Sequence, residues 1–373
     1  MLDQNISFPG IDAPRIGILG HHDTHNFGDV LLAELCADAV SDGGGRPDFL
    51  FGCGESETSG LARKLRGLRR NLDCAGLVLA GGGYLEAPGR TAVTNLLPLS
   101  LAVASIRARR RPVGIFGAGS GVHNGYLARI LLRYVCAAAS PVVIRDRQSV
   151  DCLRSAGIRG DISLSRDLAH AVSVKGRHKT LFDSAARSTE KTLLLHIDNL
   201  VLLGEGHPEL GCMMDALRTH TLPQGWRLKI LFDYVRDESL SAELGRAFGC
   251  KVVSGISVAA VLQEIANAAV VVSGKFHVAL VALSLGKPTL GISPHAKVVD
   301  LFNSLGISEL HRPVLSSLED AQELLAAAVA AELPPRFEEA RLAAVGEAAA
   351  LYEQISQFAA RCCSQPFNAA RNR

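Results

Sequence analysis

The sequence is poor in aromatic residues and has almost no net charge. Phe, Trp and Tyr make up 5% of the chain, too few for the stacking surfaces that bind single-stranded nucleic acid. The 39 basic residues are offset by 37 acidic residues, and a net charge of +2 does not favour duplex binding. No stretch reaches the roughly 18 uncharged apolar residues that a spanning helix needs. We therefore expect no nucleic-acid partner and no integral membrane segment.

The sequence also lacks the cysteine spacing of a metal or disulfide framework. Its nine cysteines include no C-x-x-C pair, their number is odd, and no signal peptide opens the sequence. This pattern favours a reducing cytosol, with thiols acting as small core residues. The basic runs 63–70 and 107–111 are typical of solvated helix faces. Peripheral contact with the cytoplasmic face of an anionic inner membrane is the alternative interpretation of these runs.

The 373 residues are 48% apolar, which suffices for two hydrophobic cores. Short β-branched runs alternate with longer helix-period segments, a pattern typical of parallel sheets covered on both faces. The polar stretch 174–191 interrupts the series without sustained periodicity. We predict an α/β fold with two Rossmann-like domains, residues 1–175 and 185–312, followed by a helical tail at 313–373 that is broken at Pro334–Pro335.

Ligands of such sheets bind beyond the carboxyl ends of the strands, so the loops at those ends are the candidate site. The loop 20–29 opens the first predicted helix with Asn26, Gly28 and Asp29, where free N–H groups favour an anion. Its histidines, His21, His22 and His25, have no Cys or acidic partner at ligand spacing, so we predict no metal site. A solvent-facing capped loop is the other interpretation of this segment.

Two further glycine-rich strand ends lie at 80–85 and 117–124, and the first includes Gly82 and Gly83. Glycine permits close backbone approach to a ligand, although a packing turn explains such a run equally well. The strand 142–146 ends in Arg145 and Asp146. Arg145 presents a guanidinium to an anionic ligand in one interpretation and forms a structural ion pair in the other.

The segment 273–288, "SGKFHVALVALSLGKP", places a cation and an imidazole where a valine-rich strand gives way to an apolar helix. Ser273 leaves the strand, and Lys275 and His277 fall in or just before the first helical turn. A phosphate there would meet N–H groups, a helix dipole, an ammonium and an imidazole together. Lys297, at the next strand-to-helix junction, adds a further positive charge to the same predicted crevice.

Together these segments resemble the polysaccharide pyruvyl transferase family over about residues 15–306. Each motif is degenerate, and their ordered succession carries the resemblance. The matching residues are Asn26, Gly28 and Asp29; Gly81–Gly83 with Leu85; Gly117 and Gly119; Arg145, Asp146 and Ser149, followed by "SRDLA" (165–169); Ser273, Lys275 and His277; and Gly286, Pro288, Lys297 and Val298.

The resemblance implies a GT-B-like fold and transfer of a pyruvyl group from phosphoenolpyruvate to two hydroxyls of a cell-surface glycan or exopolysaccharide, forming a ketal. It implies a glycan or lipid-linked oligosaccharide acceptor and no cofactor. We assign catalysis to His277 and Asp29 as acid and base. Substrate binding is assigned to a larger set, namely Asn26, Gly28, Gly82, Gly83, Arg145, Ser273, Lys275 and Lys297.

One departure from the family pattern is Lys275, where the family usually has arginine, followed by Phe276 in place of leucine. Lysine is a point charge without arginine's planar fork. Two other functions therefore stay open. One is a GT-B glycosyltransferase that uses a nucleotide sugar, and the other is a non-catalytic member of a glycan-assembly complex.

Overall fold

The computed structural model describes residues 12–20, 26–50, 73–85, 91–122, 125–185, 191–196, 212–213, 215–216, 219, 222–232, 245–246, 249–253, 257–313, 315, 317–330 and 332–365. The three histidines before Asn26 and the basic run 63–70 lie outside these residues. So does most of the helices predicted near 208–220 and 237–248.

The first sheet is parallel and, among the described residues, contains seven strands. They are β1 (Arg15–Leu19), β2 (Arg46–Phe49), β3 (Gly76–Leu79), β4 (Gly82–Leu85), β5 (Val113–Ser120), β6 (Val142–Ile144) and β7 (Ser163–Leu164). Their order is β2-β1-β3-β5-β6-β7, and β4 also pairs with β5. All eight residues of β5 are buried, as expected of a central strand covered on both faces. The sequence analysis missed β2, which contains Pro47 and lies at the sheet edge, where proline is tolerated.

Helices cover both faces of this sheet. They are α1 (Phe27–Asp42), α2 (Thr91–Ala108), α3 (Tyr126–Ala138) and α4 (Arg147–Ser155). The helices α2 and α3 share one core with the sheet, to which they contribute Leu99, Val103, Leu132 and Val135. The opposite face is packed by α1, whose Leu31 and Leu35 are completely buried. The predicted first domain is thus a doubly wound α/β layer.

The second sheet, again counting only described residues, has six parallel strands. They are β8 (Lys191–His196), β9 (Trp226–Leu231), β10 (Lys251–Val253), β11 (Val270–Ser273), β12 (Thr289–Ile292) and β13 (His311–Arg312). The order β10-β9-β8-β11-β12-β13 is the 3-2-1-4-5-6 order of a Rossmann fold. Its switch point lies between β8 and β11, so the segment that begins at Ser273 leaves the sheet where such folds bind ligands.

The helices after β10 are α6 (Val258–Asn267), α7 (Phe276–Ser284) and α8 (Ala296–Ser304). The sequence pattern predicts helices at 257–267, 277–285 and 296–305, and these bounds agree with the structure to within one residue at either end. Two further helices follow, α9 (Leu318–Ala330) and α10 (Pro335–Ser364), and they separate at the predicted proline break. Pro335 occupies the start of α10, where its missing N–H is not needed. The α/β class with two Rossmann-like domains is confirmed.

The two C-terminal helices pack on different domains. Leu324 and Leu325 of α9 join the core of the second sheet. In contrast, α10 returns to the first domain, where Phe358 meets Phe116 edge-on with ring centroids 5.4 Å apart. The Tyr352 hydroxyl of α10 donates to Asp42 Oδ2 at 2.7 Å. The predicted tail is therefore divided between the domains.

The polar stretch 174–191, which has no sustained periodicity in the sequence, is partly helical and makes side-chain contacts with α1. It contains α5 (Lys179–Ala185), and its polar residues contact α1. His178 Nε2 lies 2.7 Å from Glu34 Oε2, and both side chains are buried. Arg177 Nε donates to Asp38 Oδ1 at 2.8 Å. The polar composition of this stretch did not indicate these pairings, because they join residues 139 and 144 positions apart in the sequence.

Candidate functional site

A cavity of about 550 Å³ lies between the carboxyl edges of the two sheets. This volume is within the range of about 300–1,000 Å³ typical of small-molecule sites. Its lining comes from both domains, namely residues 26–29, Gly83, Arg145, Gln148, residues 274–278 and residues 295–298. Eight of the ten sequence-predicted site residues are in this set: Asn26, Gly28, Asp29, Gly83, Arg145, Lys275, His277 and Lys297. Residues spread over 272 positions of sequence thus surround one space.

The first domain contributes the start of α1. Asn26 is the N-cap, and its Oδ1 accepts a hydrogen bond from Gly28 N at 3.0 Å. The sequence analysis gave the capping position to Asp29, but Asp29 lies in the first turn instead. Because Asn26 already accepts a hydrogen bond from the Gly28 N–H at the helix start, the carboxylate of Asp29 is not needed as a cap. Asp29 is half-buried on the cavity wall.

The second domain contributes the starts of α7 and α8. Their N-caps, Lys275 and His295, make no side-chain capping hydrogen bond, in contrast to Asn26 of α1. Backbone N–H groups at a helix start are orphan donors, and the helix dipole makes such an end favourable for an anion. Two helix ends without side-chain caps therefore open on one cavity, together with the ammonium groups of Lys275 and Lys297.

Arg145 forms the structural ion pairs that one interpretation predicted, and it also lines the cavity. Its side chain is 4% exposed, its Nη1 lies 3.2 Å from Asp167 Oδ2, and its Nε lies 3.2 Å from Asp146 Oδ2. Asp146 in turn caps α4 by accepting from Ser149 N at 2.7 Å. The guanidinium carbon of Arg145 lies 5.5 Å from the centroid of the Phe276 ring. Arg145 is thus held by two carboxylates and an aromatic face while it lines the cavity.

Asp167 is the residue that sequence reasoning missed. It is the aspartate of "SRDLA", and its Oδ1 accepts from Ala169 N at 3.0 Å at the start of a 3-10 helix (Leu168–Ser173). Its Oδ2 lies 3.2 Å from Arg145 Nη1 and 3.7 Å from His277 Nε2. Burial alone would raise the pKa of Asp167, but interaction with His277, the Arg145 charge and the Ala169 N–H lower it well below its usual range. Asp167 is therefore an anion that lies between Arg145 and His277 and contacts both.

His277 lies between the two domains. Its Nε2 is buried and turned towards Asp167, and its ring is 5.0 Å from the Phe276 ring in an edge-on contact. The other ring nitrogen, Nδ1, lies against Gly28, where a Cβ would stand only 1.8 Å from it. The glycine of "N-x-G-D" is therefore required because the imidazole occupies the space of a side chain.

Two predicted substrate-binding residues do not line this cavity. Ser273 is completely buried, and its hydroxyl lies 3.3 Å from His196 Nδ1 and accepts from Lys275 N at 3.1 Å. It shapes the turn that presents Lys275. Gly82 adopts a φ of +90°, which favours glycine, and a Cβ there would lie 3.4 Å from Asp29 Oδ1. Both residues therefore lie next to residues of the lining, Ser273 beside Lys275 and Gly82 beside Asp29, without lining the cavity themselves.

A second cavity, of about 620 Å³, adjoins the first and shares Arg145, Gln148, Phe276 and Lys297 with it. Its remaining lining includes His170, Asp300, Asn303 and Glu347. The two cavities form one cleft, which narrows at the contact between Arg145 and Phe276. Within the described residues, no group of three His, Cys, Asp or Glu side chains is placed to hold a metal.

The fold and the interdomain cleft define a two-domain α/β protein of the GT-B type. A UDP-GlcNAc 2-epimerase from Neisseria meningitidis, bound to UDP-GlcNAc, matches with a TM-score of 0.59 at 10% identity, over 92% of this chain and 99% of that chain. The UDP-GlcNAc 2-epimerase from Methanocaldococcus jannaschii matches with a TM-score of 0.56 at 10% identity, over 91% of this chain and 98% of that chain. The UDP-N-acetylglucosamine 2-epimerase from Rickettsia bellii matches with a TM-score of 0.56 at 11% identity, over 96% of this chain and 99% of that chain. At these identities the likeness concerns the fold.

The sequence itself matches the polysaccharide pyruvyl transferase family over residues 26–295, which is most of the chain. The chain therefore belongs to the polysaccharide pyruvyl transferase family, and the predicted resemblance is confirmed. No curated protein matches the sequence. No helix of the described residues is long and apolar enough to cross a membrane.

Proposed function

We propose that the chain transfers the pyruvyl group of phosphoenolpyruvate to two hydroxyls of a glycan, forming a cyclic ketal. The observation that carries this proposal is the first cavity, where two helix starts without side-chain caps, two lysines and Arg145 surround a space that faces Asp29. Phosphoenolpyruvate carries a phosphate and a carboxylate, and this set of donors suits two anionic groups.

The reaction begins when one sugar hydroxyl gives its proton to the base and attacks C2 of the enol, while the acid gives a proton to C3. The carbon–oxygen bond to phosphate then breaks, and the electron pair leaves with the phosphate. The second sugar hydroxyl adds to the oxocarbenium-like C2 and passes its proton to the group that acted as the acid in the first step, which closes the ketal. The site must therefore supply cations for the donor, one acid and one base.

His277 is the proposed acid and Asp29 the proposed base, with Asn26 orienting the acceptor. The two residues belong to different domains and line the same cavity. The carboxylate of Asp167 faces Nε2 of His277, so the Nε2–H form is the neutral tautomer that this environment favours. As an acid, His277 therefore gives up a second proton, carried by Nδ1 beside Gly28 at the cavity wall, and keeps the proton on Nε2.

Lys275, Arg145, Lys297 and the starts of α7 and α8 are the proposed partners of the donor. The glycan beyond the reacting sugar would extend into the second cavity, whose lining includes the uncharged side chains of Gln148, Asn303 and Ser304. Neutral amides and hydroxyls are suited to sugar hydroxyls, because they both donate and accept hydrogen bonds.

The test is phosphate release from phosphoenolpyruvate in the presence of an acceptor glycan, by the wild-type chain and by His277→Ala. We expect wild-type turnover and a loss of about 100-fold or more in the variant, the usual scale for a proton-transfer residue. Undiminished turnover would remove His277 from the mechanism. Calorimetry with phosphoenolpyruvate and with UDP separates this function from a nucleotide-sugar transferase. Glycan binding without any phosphate release would indicate a non-catalytic assembly protein.

A further inference from the structure

The outer faces of α2 and α3 expose an unusual amount of apolar surface. Both helices pack side by side over one core, so their outward faces lie on the same side of the first domain. Seven of the ten large hydrophobic residues exposed among the described residues belong to this segment. They are Leu97, Leu101, Val122, Tyr126, Leu127, Ile130 and Tyr134, here called the outer apolar patch. Clustered exposure of this kind marks an interaction surface, whereas scattered residues would not.

The patch is organised on α3. Tyr126, Ile130 and Tyr134 follow one another at intervals of four residues, so they form a single stripe, with Leu127 beside it. Tyr126 is 81% exposed, and Val122, just before the helix, is 62% exposed. The buried residues Ala128, Leu132 and Val135 occupy the opposite face of the same helix. The stripe is therefore not needed for the core of this domain.

The segment that carries the patch has charged residues of one sign only. Residues 87–145 contain eight arginines and no Asp, Glu or Lys, whereas Asp and Glu make up 37 of all 373 residues. Arg107, Arg109 and Arg110 are exposed at the end of α2 and in the turn that follows. An apolar surface with tyrosines and nearby arginines complements the interface of an anionic bilayer, which attracts basic residues.

We propose that the outer apolar patch docks this protein on an anionic lipid surface. The tyrosines and aliphatic side chains enter the interfacial region, and the arginines of 107–111 meet the lipid phosphates. A second copy of the chain is the less favourable occupant, because a two-fold interface would bring two acid-free, arginine-rich surfaces together. Docking itself does not depend on the proposed chemistry.

The position of the patch relative to the cleft gives docking a use. The patch begins at Val122 and Tyr126, directly after β5, at the carboxyl edge of the first sheet, on which the cavities open. Ser120, the last residue of β5, donates its N–H to Ser149 Oγ at 2.9 Å, next to the segment that lines the cleft. Docking therefore brings this edge of the cleft towards the bilayer. If the proposed function holds, this orientation suits a lipid-linked acceptor.

The experiment is flotation of the full chain with vesicles of phosphatidylcholine alone and of phosphatidylcholine mixed with phosphatidylglycerol. The wild type should float with the anionic vesicles only, and added salt should weaken this binding. The double variant Tyr126→Ser, Ile130→Ser should bind at least tenfold more weakly, and Arg107→Gln, Arg109→Gln should lose the preference for anionic lipid. The matched control is Leu342→Ser on α10, which removes an exposed leucine elsewhere and should float like the wild type.

Equal flotation of the wild type and the Tyr126→Ser, Ile130→Ser variant overturns the proposal. So does light scattering that shows a wild-type dimer and a monomeric variant, because the patch would then be a self-interface. Phosphate release with a soluble acceptor is measured in parallel and should be unchanged in these variants. A lack of release by every variant, wild type included, would count against the proposed chemistry and leave the vesicle result intact.

Discussion

Gly28 and His277 meet across the cleft at a distance that leaves no room for a side chain on the glycine. A Cβ on Gly28 would lie 1.8 Å from His277 Nδ1 and 2.2 Å from its Cγ. The contact joins the first turn of α1 to the first turn of α7, which belong to different sheets. Two motifs that are separate in the sequence are therefore one structural unit.

Gly28→Ala should displace the imidazole of His277. We expect activity to fall by about 100-fold, since a misplacement of about 1 Å at a reacting group has effects of that size. The free energy of unfolding should fall by about 1–3 kcal/mol, as for other overpacked sites. Phosphate release and thermal unfolding measure the two effects.

Gly160→Ala is the matched control, because a Cβ there meets no atom within 4 Å. The cause of the Gly28 effect is isolated by repeating Gly28→Ala in a His277→Ala background. The stability loss should then shrink, since the clashing ring is gone and only the contact with the Cβ of residue 277, at 2.7 Å, remains. An undiminished loss in the double variant would show that the ring is not its origin.

Asp167→Asn should lower turnover by about 100-fold or more without unfolding the chain. The amide keeps the shape of the side chain but removes the negative charge that faces His277 and Arg145, so neither side chain is held in the same way. Steady-state kinetics against phosphoenolpyruvate would separate the effect on kcat from that on KM.

Asp146→Asn provides the comparison for Asp167→Asn. This substitution removes the second carboxylate that pairs with Arg145, at a position for which no contact with His277 is seen. Asparagine retains the capping ability of the original side chain. We expect it to affect KM, through Arg145, more than kcat. Equal losses of kcat in both variants would indicate that only the Arg145 pairing matters.

Lys275→Arg should lower the KM for phosphoenolpyruvate by up to about tenfold, because a planar guanidinium binds a carboxylate or phosphate through two hydrogen bonds. The control is Lys251→Arg, on the edge strand β10 and 65% exposed, which should leave KM unchanged. A rise in KM for Lys275→Arg would mean that the cavity is adapted to the shorter, point-like cation.

His170 should make the chain less stable in mild acid. Its pKa is lowered to about 4, chiefly by burial; interactions with Arg166 and His277 also lower this pKa, and the charge of Asp167 partly opposes the shift. The unfolded chain binds a proton near the ordinary histidine pKa of about 6.5, before the folded chain does. The free energy of unfolding should therefore fall as pH drops from about 6.5 to about 4, by at most about 3 kcal/mol from this group.

Denaturant unfolding at several pH values checks this prediction. His170→Gln should flatten the dependence, because glutamine does not titrate and still supplies a donor for Ser284 Oγ, which lies 2.7 Å from His170 Nδ1. His295→Gln, at an exposed position, should behave like the wild type. A wild-type slope that survives in His170→Gln would assign the acid sensitivity to other groups.

Much of the fold and most of the cavity lining could be predicted from the sequence. Strands such as β5 and β11 are continuous apolar runs that end in glycine or a small polar residue, so both their location and their carboxyl ends are evident. Once two parallel sheets are inferred, residues at those ends must converge. For this reason the strand pattern alone places Asn26, Arg145, Lys275 and Lys297 in one crevice.

Asp167 and the polar stretch 174–191 show what could not be predicted from the sequence. Asp167 follows β7, an edge strand of two exposed residues without an apolar signal, so the strand pattern did not mark it, and the family motif that contains it was matched without a role for the aspartate. Its role comes from contacts with residues 22 and 110 positions away. His178 and Glu34 are polar in sequence but buried through each other. Pairing between distant segments is what composition and periodicity do not encode.

The return of α10 to the first domain has a mechanical consequence. The backbone passes between the lobes twice, once through the segment containing α5 and once between α9 and α10, and buried residues of α1, α7 and α10 form a continuous apolar cluster. Pulling the lobes apart would expose this cluster to water, so its burial opposes separation of the two walls of the cleft.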